Sequence, residues 1–210
     1  TFYRARSWLL ILAGITAGVS FGLKMTSAIY IMAGGLAFFI AVQGWSEKVK
    51  STFLLAFGLL VGILSSGGFW YLKMWKSYKN PIFPWMNNIF HSPELLNINI
   101  RDARYLPSSL IDGLLFPIYF MYNSTYNYDQ GGFRDSRFAL LYLLFAIFGV
   151  VLMRNRFLAR QRPPLAPESR FILSFFCFAF VIWLIQFSIY RYLYILEGLA
   201  FVCIAIILLH

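Results

Sequence analysis

Apolar residues in this chain run in long blocks, with polar residues gathered between them. About six blocks approach the roughly 20 residues that a helix needs to cross a bilayer. They cover residues 8–23, 27–42, 52–72, 138–153, 171–189 and 194–209. Several are a little short, so the helices are expected to reach a few residues into the flanking polar stretches. The pattern predicts an all-α membrane protein: three transmembrane helices within 1–72, a long extracytoplasmic loop region over 73–137, and three more helices within 138–210. Lys24-Met25-Thr26 is all that separates the first two blocks. A tight helical hairpin is expected there, with one long kinked helix as the competing reading.

Composition strengthens the membrane reading. The chain is 60% hydrophobic and 12% charged, with a mean hydropathy of +0.69. Soluble domains carry about 25% charged residues, so this chain has too little charge to coat a water-facing surface. Aromatics make up 20% of it, which suits two membrane–water interfaces.

Net charge is +10, from 18 Lys and Arg against 8 Asp and Glu. The basic residues sit mainly at the ends of apolar blocks rather than along one soluble face. Topology and anionic headgroups explain that distribution, and nucleic-acid binding does not. Arg4 and Arg6 precede the first block, Lys48 and Lys50 follow the second, and Arg154, Arg156, Arg160, Arg162 and Arg170 precede the fifth. Alternation places all three groups on one side, which the positive-inside rule makes cytoplasmic. The region 73–137 then lies outside, where Asn123-Ser124-Thr125 fits a glycosylation acceptor. Within that region residues 108–122 form an apolar run, broken by Asp112, Gly113 and Pro117, that is short enough to be interfacial or re-entrant.

Small residues fall at helical spacing. Gly14, Gly18 and Gly22 share one face, and Gly58 and Gly62 repeat the interval. In lipid, glycine at this spacing lets two backbones approach and pack. Cys177 and Cys203 lie inside apolar blocks and read as small hydrophobes, and no Cys/His cluster has metal-ligand spacing. The chain begins and stops beside helix ends, as a piece of a longer membrane protein would.

Candidate chemistry gathers on the outer side. Lys24 lies between two apolar blocks, and Arg191 ends the fifth, with Glu197 a turn or so further on. Each has two readings: Lys24 snorkels or binds an anion, and Arg191 pairs with Glu197 or offers its fork to a phosphate. Arg101-Asp102-Ala103-Arg104 is either a self-neutralised patch or an anion site. His91 reads as a surface or a hydrogen-bonded histidine rather than a ligand.

Taken in order, these features resemble the middle and later parts of the GT-C superfamily of polytopic membrane glycosyltransferases. The glycine-striped block ending in Lys24-Met25-Thr26 is similar to the family's small-residue helix followed by K-x-T/S. Lys79-Asn80-Pro81-Ile82-Phe83-Pro84-Trp85-Met86-Asn87-Asn88-Ile89-Phe90 resembles its G-N-P-x-F-P…N…F segment, with Lys79 in place of Gly. Tyr190-Arg191-Tyr192-Leu193 resembles its R-Y-L-x-P segment without the proline.

The resemblance implies transfer of a sugar from a polyprenyl-phosphate-linked donor to an acceptor at the outer face of a bacterial inner membrane. Lys24, Arg101, Arg104 and Arg191 would then hold the lipid phosphate. Asn80 and Asn87 would shape the loop or meet sugar hydroxyls, and Trp85 and Tyr105 would stack on a sugar. No cofactor is implied, and divalent metal dependence is left open. The family's catalytic carboxylate, in its first outer loop, has no counterpart here and is expected upstream of this chain. Expected partners are membrane lipids and the sugar donor. The alternative expectation is a non-catalytic scaffold subunit of a larger membrane complex.

Overall fold

The computed structural model describes residues 7–100, 102–122, 134–157 and 164–210, and every regular element among them is helical. Three helices are long and apolar enough to cross a membrane: Trp45–Tyr78, Arg137–Asn155 and Pro167–Gln186. Ser7–Leu23, Met25–Ala41, Leu110–Tyr122 and Tyr194–Leu209 are apolar but shorter. The chain divides into two compact units, one of Thr1–Ile31 with Val42–Ala103 and the other of Met32–Ala41 with Arg104–His210.

The first unit is built on α1 (Ser7–Leu23) and α3 (Trp45–Tyr78). Between them the chain turns extended at Lys24, makes a 3-10 turn over Met25–Ser27 and enters α2 (Ala28–Ala41), so the first two apolar blocks are separate helices. Gly14, Gly18 and Gly22 of α1 face Gly58, Gly62 and Gly67 of α3. A Cβ on Gly14 would strike the Leu55 carbonyl oxygen, one on Gly18 that of Leu59, one on Gly58 that of Ile11 and one on Gly62 that of Ile15. Backbone meets backbone along this seam, which only a missing side chain allows. Where the four-residue interval from Gly62 reaches Ser66, the hydroxyl turns back to the Gly62 carbonyl at 2.7 Å. One turn on, the Tyr71 hydroxyl donates to the Phe21 carbonyl at 3.3 Å.

α3 is 34 residues long, about 50 Å at ~1.5 Å per residue, well beyond the ~30 Å hydrocarbon core. It takes in Lys48 and Lys50, which lie between the second and third apolar blocks, and Lys73 and Lys76, which fall in the predicted outer region 73–137. Lys, Glu and Ser sustain a helix as readily as they fill a loop, so polarity alone did not mark its ends. Backbone conformation does mark them. Gly44 precedes the helix at φ 85°, and Lys79 closes it in the left-handed region at φ 57°, donating its N–H to the Trp75 carbonyl at 2.9 Å. Pro81 then bars a helical Asn80.

The second unit contains most of α2 with α5 (Leu110–Tyr122), α6 (Arg137–Phe157), α7 (Pro167–Gln186) and α8 (Tyr194–Leu209). The apolar run at 108–122 becomes α5, whose 13 residues are too few to span. Leu173, Phe176, Ala179 and Trp183 form the buried stripe of α7, and Leu196, Ala200 and Cys203 that of α8. Around Trp183 gather Phe116 and Phe120 of α5 and Phe180 of α7, with ring centroids 5.4–6.1 Å apart, and Phe120 meets Phe138 and Tyr190 edge to face. Such tilted and edge-on pairings are favourable for aromatic quadrupoles.

Candidate functional site

Two places concentrate polar groups, one in each unit. In the first, the residues after α3 form a tight loop and the short helix α4 (Asn87–Phe90), organised by two asparagines with no solvent exposure. The Asn80 side-chain oxygen accepts from the Ile82 N–H at 3.0 Å, and its amide donates to the Trp85 carbonyl at 2.9 Å. The Asn87 amide reaches the carbonyls of Ser92, Leu95 and Leu96 at 3.0–3.2 Å, and its oxygen accepts from the Ser92 N–H at 2.9 Å. These bonds satisfy backbone groups that no helix or sheet serves. Of the two roles the sequence reading left open for Asn80 and Asn87, loop shaping is the one this geometry fills.

Tyr78 stacks on Phe83 at 4.2 Å, and a cis peptide joins Phe83 to Pro84. Trp85 is half-buried on the loop, and exposed His91 bonds Asn97 at 2.8 Å as expected of a surface histidine. Lys24 belongs to this unit too. It is exposed in the α1–α2 turn, and its carbonyl accepts from the Ser27 N–H and hydroxyl.

In the second unit the polar groups lie where α7 turns into α8. The Trp183 indole donates to the Ile189 carbonyl at 2.9 Å, and the Ser188 hydroxyl donates back to the Leu184 carbonyl at 2.8 Å. A 3-10 turn, Tyr190–Tyr192, follows and points Tyr190 inward and Arg191 outward. The Arg191 guanidinium lies 5.3 Å from the Tyr192 ring centre. At the start of the unit, exposed Arg104 lies 5.4 Å over half-buried Tyr105. Pro107 and Leu184 both border Gly113, within 3.6–3.7 Å of where its Cβ would stand, so the start of α5 packs against the last turns of α7. Asp112 caps the start of α5, accepting from the Ser108 N–H at 2.9 Å and from its hydroxyl. Arg101 lies outside the described residues.

A four-residue cluster sits at the same end. Asp135, 3% exposed, accepts from the Tyr190 hydroxyl at 2.6 Å and from two guanidinium nitrogens of Arg137 at 2.7 and 2.9 Å, and its N–H donates to the Phe120 carbonyl. Arg137 also reaches Glu197 at 3.3 Å. The cluster ties α5, α6, the α7–α8 turn and α8 together. Burial raises the Asp135 carboxyl, but the Arg137 and Tyr190 hydrogen bonds outweigh it and hold the group below its ordinary range. Burial first, then the bond to Asp135, pushes the Tyr190 phenol above its ordinary value.

Pairing with Arg191 is one of the two readings that the sequence leaves open for Glu197, and in the structure Glu197 pairs with Arg137. Asp135 and Tyr190 were missed as a pair because 55 residues separate them. Asp135-Ser136-Arg137 at the head of an apolar block was the available signal, since ionisable residues at a membrane boundary tend to have a partner.

Compared with known protein families, with curated proteins and with solved structures, the chain matches none.

Proposed function

We propose that this protein is a polytopic membrane glycosyltransferase, or the part of one that holds the lipid-phosphate donor, acting at the outer face of a bacterial inner membrane. The observation that supports this reading is that Arg191, exposed above the Tyr192 ring in the turn after α7, belongs to the same unit as Arg104, exposed above the Tyr105 ring. Guanidinium groups at a membrane boundary suit a phosphate whose polyprenyl chain stays in lipid. In this reading about six helices cross the bilayer, and the α7–α8 turn and the 73–137 segment are extracytoplasmic. The charge of the departing polyprenyl phosphate is matched by Arg104 and Arg191, which lowers the barrier to sugar transfer. Asp112 and Asp135 are both held in structural hydrogen bonds, so neither is offered as the base that deprotonates the acceptor.

The test is transfer by the full native polypeptide in proteoliposomes supplied with a polyprenyl-phosphate-linked sugar, read as release of polyprenyl phosphate. Arg191→Ala is expected to lower the rate about 100-fold or more with insertion unchanged. Wild-type release with that variant removes Arg191 from the site, and no release by wild type contradicts the transferase reading.

A second reading, a scaffold subunit, is favoured by the glycine seam, whose flush backbone packing is what an assembly helix pair uses. Intact assembly of a larger membrane complex in a transfer-deficient variant supports it.

A further inference from the structure

At the opposite end of α7 lies a cleft of about 360 Å³ lined among others by Phe148 and Gly149 of α6 and by Arg170, Leu173, Ser174 and Phe178 of α7. This is within the ~300–1,000 Å³ of ligand sites. The α7 members fall at intervals of three and four, so they share one helix face. That face begins in the first turn of α7 and runs about 12 Å along it, at ~1.5 Å per residue. The walls are mostly apolar and aromatic, and one lining residue is charged.

That residue is Arg170. Its Nε is buried and finds no hydrogen-bond partner among the described residues. A buried guanidinium nitrogen left unbonded carries a desolvation cost that an anionic oxygen would relieve. The Ser174 hydroxyl sits one turn further in.

We infer that this cleft binds one anionic glycerophospholipid, with its phosphate on Arg170 and an acyl chain between α6 and α7. The chemistry favours a lipid over a free phosphate because the space behind the cation is walled by Phe145, Phe148, Leu173 and Phe178. Basic pockets between membrane helices on the cytoplasmic side take anionic headgroups, and alternation places the Arg170 end there. The inference rests on α6 and α7 crossing a bilayer, and it is independent of transfer chemistry at the other end.

The test is native mass spectrometry of the delipidated full chain, titrated with phosphatidylglycerol, phosphatidylcholine or inorganic phosphate alone. Phosphatidylglycerol is expected to bind about tenfold more tightly than phosphatidylcholine, a preference that charge-assisted bonds to one guanidinium supply. Arg170→Gln should bring the two lipids level. Gly149 lines the cleft and a Cβ there meets nothing within 4 Å, so Gly149→Leu adds side-chain volume at the cleft wall and should weaken phosphatidylglycerol while Arg170 is intact. Should Arg170→Gln fail to fold by circular dichroism, the Gly149→Leu arm decides. Equal binding of the two lipids by wild type, or wild-type phosphatidylglycerol binding by Gly149→Leu, overturns the inference. Displacement of the lipid by millimolar inorganic phosphate overturns it in favour of a free-anion site. None of these readouts involves sugar transfer, so their failure leaves the transferase proposal standing.

Discussion

The α1–α3 pair and the α5–α8 cluster solve the same packing problem with opposite means. In the first, Gly14, Gly18 and Gly22 meet Gly58, Gly62 and Gly67, and the interface exists because side chains are missing. In the second, Phe116, Phe120, Phe138, Trp183 and Tyr190 fill space with rings, and a buried carboxylate fixes their ends. Within lipid there is little hydrophobic gain in bringing helices together, so association depends on close van der Waals fit and on internal hydrogen bonds. The first unit uses the fit almost alone. The second adds polar bonds at the α7–α8 turn, which carries Arg191.

This contrast predicts that removing volume harms one unit and adding volume harms the other. The largest effect is expected for Trp183→Ala, which empties the ring cluster and deletes the bond to the Ile189 carbonyl. A loss of about 3–5 kcal/mol should appear in reversible unfolding from mixed micelles, and a loss below about 1 kcal/mol would mean that the rings do not form a packed core. Next comes Gly62→Ala, whose added methyl group strikes the Ile15 carbonyl and should cost about 1–3 kcal/mol. A neutral outcome would show that α1 and α3 are not in backbone contact.

Asp135→Asn should cost about 1–3 kcal/mol, since Arg137 is only a quarter exposed and would lose its main partner. This variant also tests the electrostatics by pH. The Asp135 carboxyl is lowered in the fold, so its contribution is complete above the ordinary carboxylate range near ~4 and fades as pH falls through the lowered value. Tyr190 is raised, so its contribution is complete below its ordinary value near ~10 and fades as pH rises beyond it. Wild-type acid lability that Asp135→Asn leaves unchanged would assign that lability to other groups. The smallest effect, and of opposite sign, is expected for Gly198→Ala. Its Cβ meets nothing, so replacing a helical glycine should stabilise by up to ~1 kcal/mol.

What could be read from the chain follows the same physics. Apolar blocks located the helices because lipid demands long uninterrupted runs, and glycine at four-residue spacing announced a close-packed face. Helix ends were less visible. Lys48, Lys50, Lys73 and Lys76 are compatible with helix and loop alike, and left-handed Lys79 before Asn80-Pro81 sets the true end of α3. Which glycines would meet was not readable, because a stripe names a face and not its partner. Asn80 and Asn87 stood out as residues, yet only the bonds to Trp85, Ser92, Leu95 and Leu96 give them a structural role. Glu197 shows the weakness of pairing by proximity along the chain. Arg191 is six positions away, but helix geometry brings it Arg137 instead.

Both proposals depend on α7 carrying Arg170 and Arg191 to opposite faces of a bilayer. Single-cysteine labelling tests this most directly, with Cys177 and Cys203 replaced by Ala and Arg104→Cys, Glu168→Cys or Arg191→Cys introduced in turn. A membrane-impermeant maleimide applied to intact cells should label the cysteines introduced at positions 104 and 191 and spare the one at 168 until the membrane is permeabilised. Labelling of all three from outside, or of position 168 alone, would contradict the account.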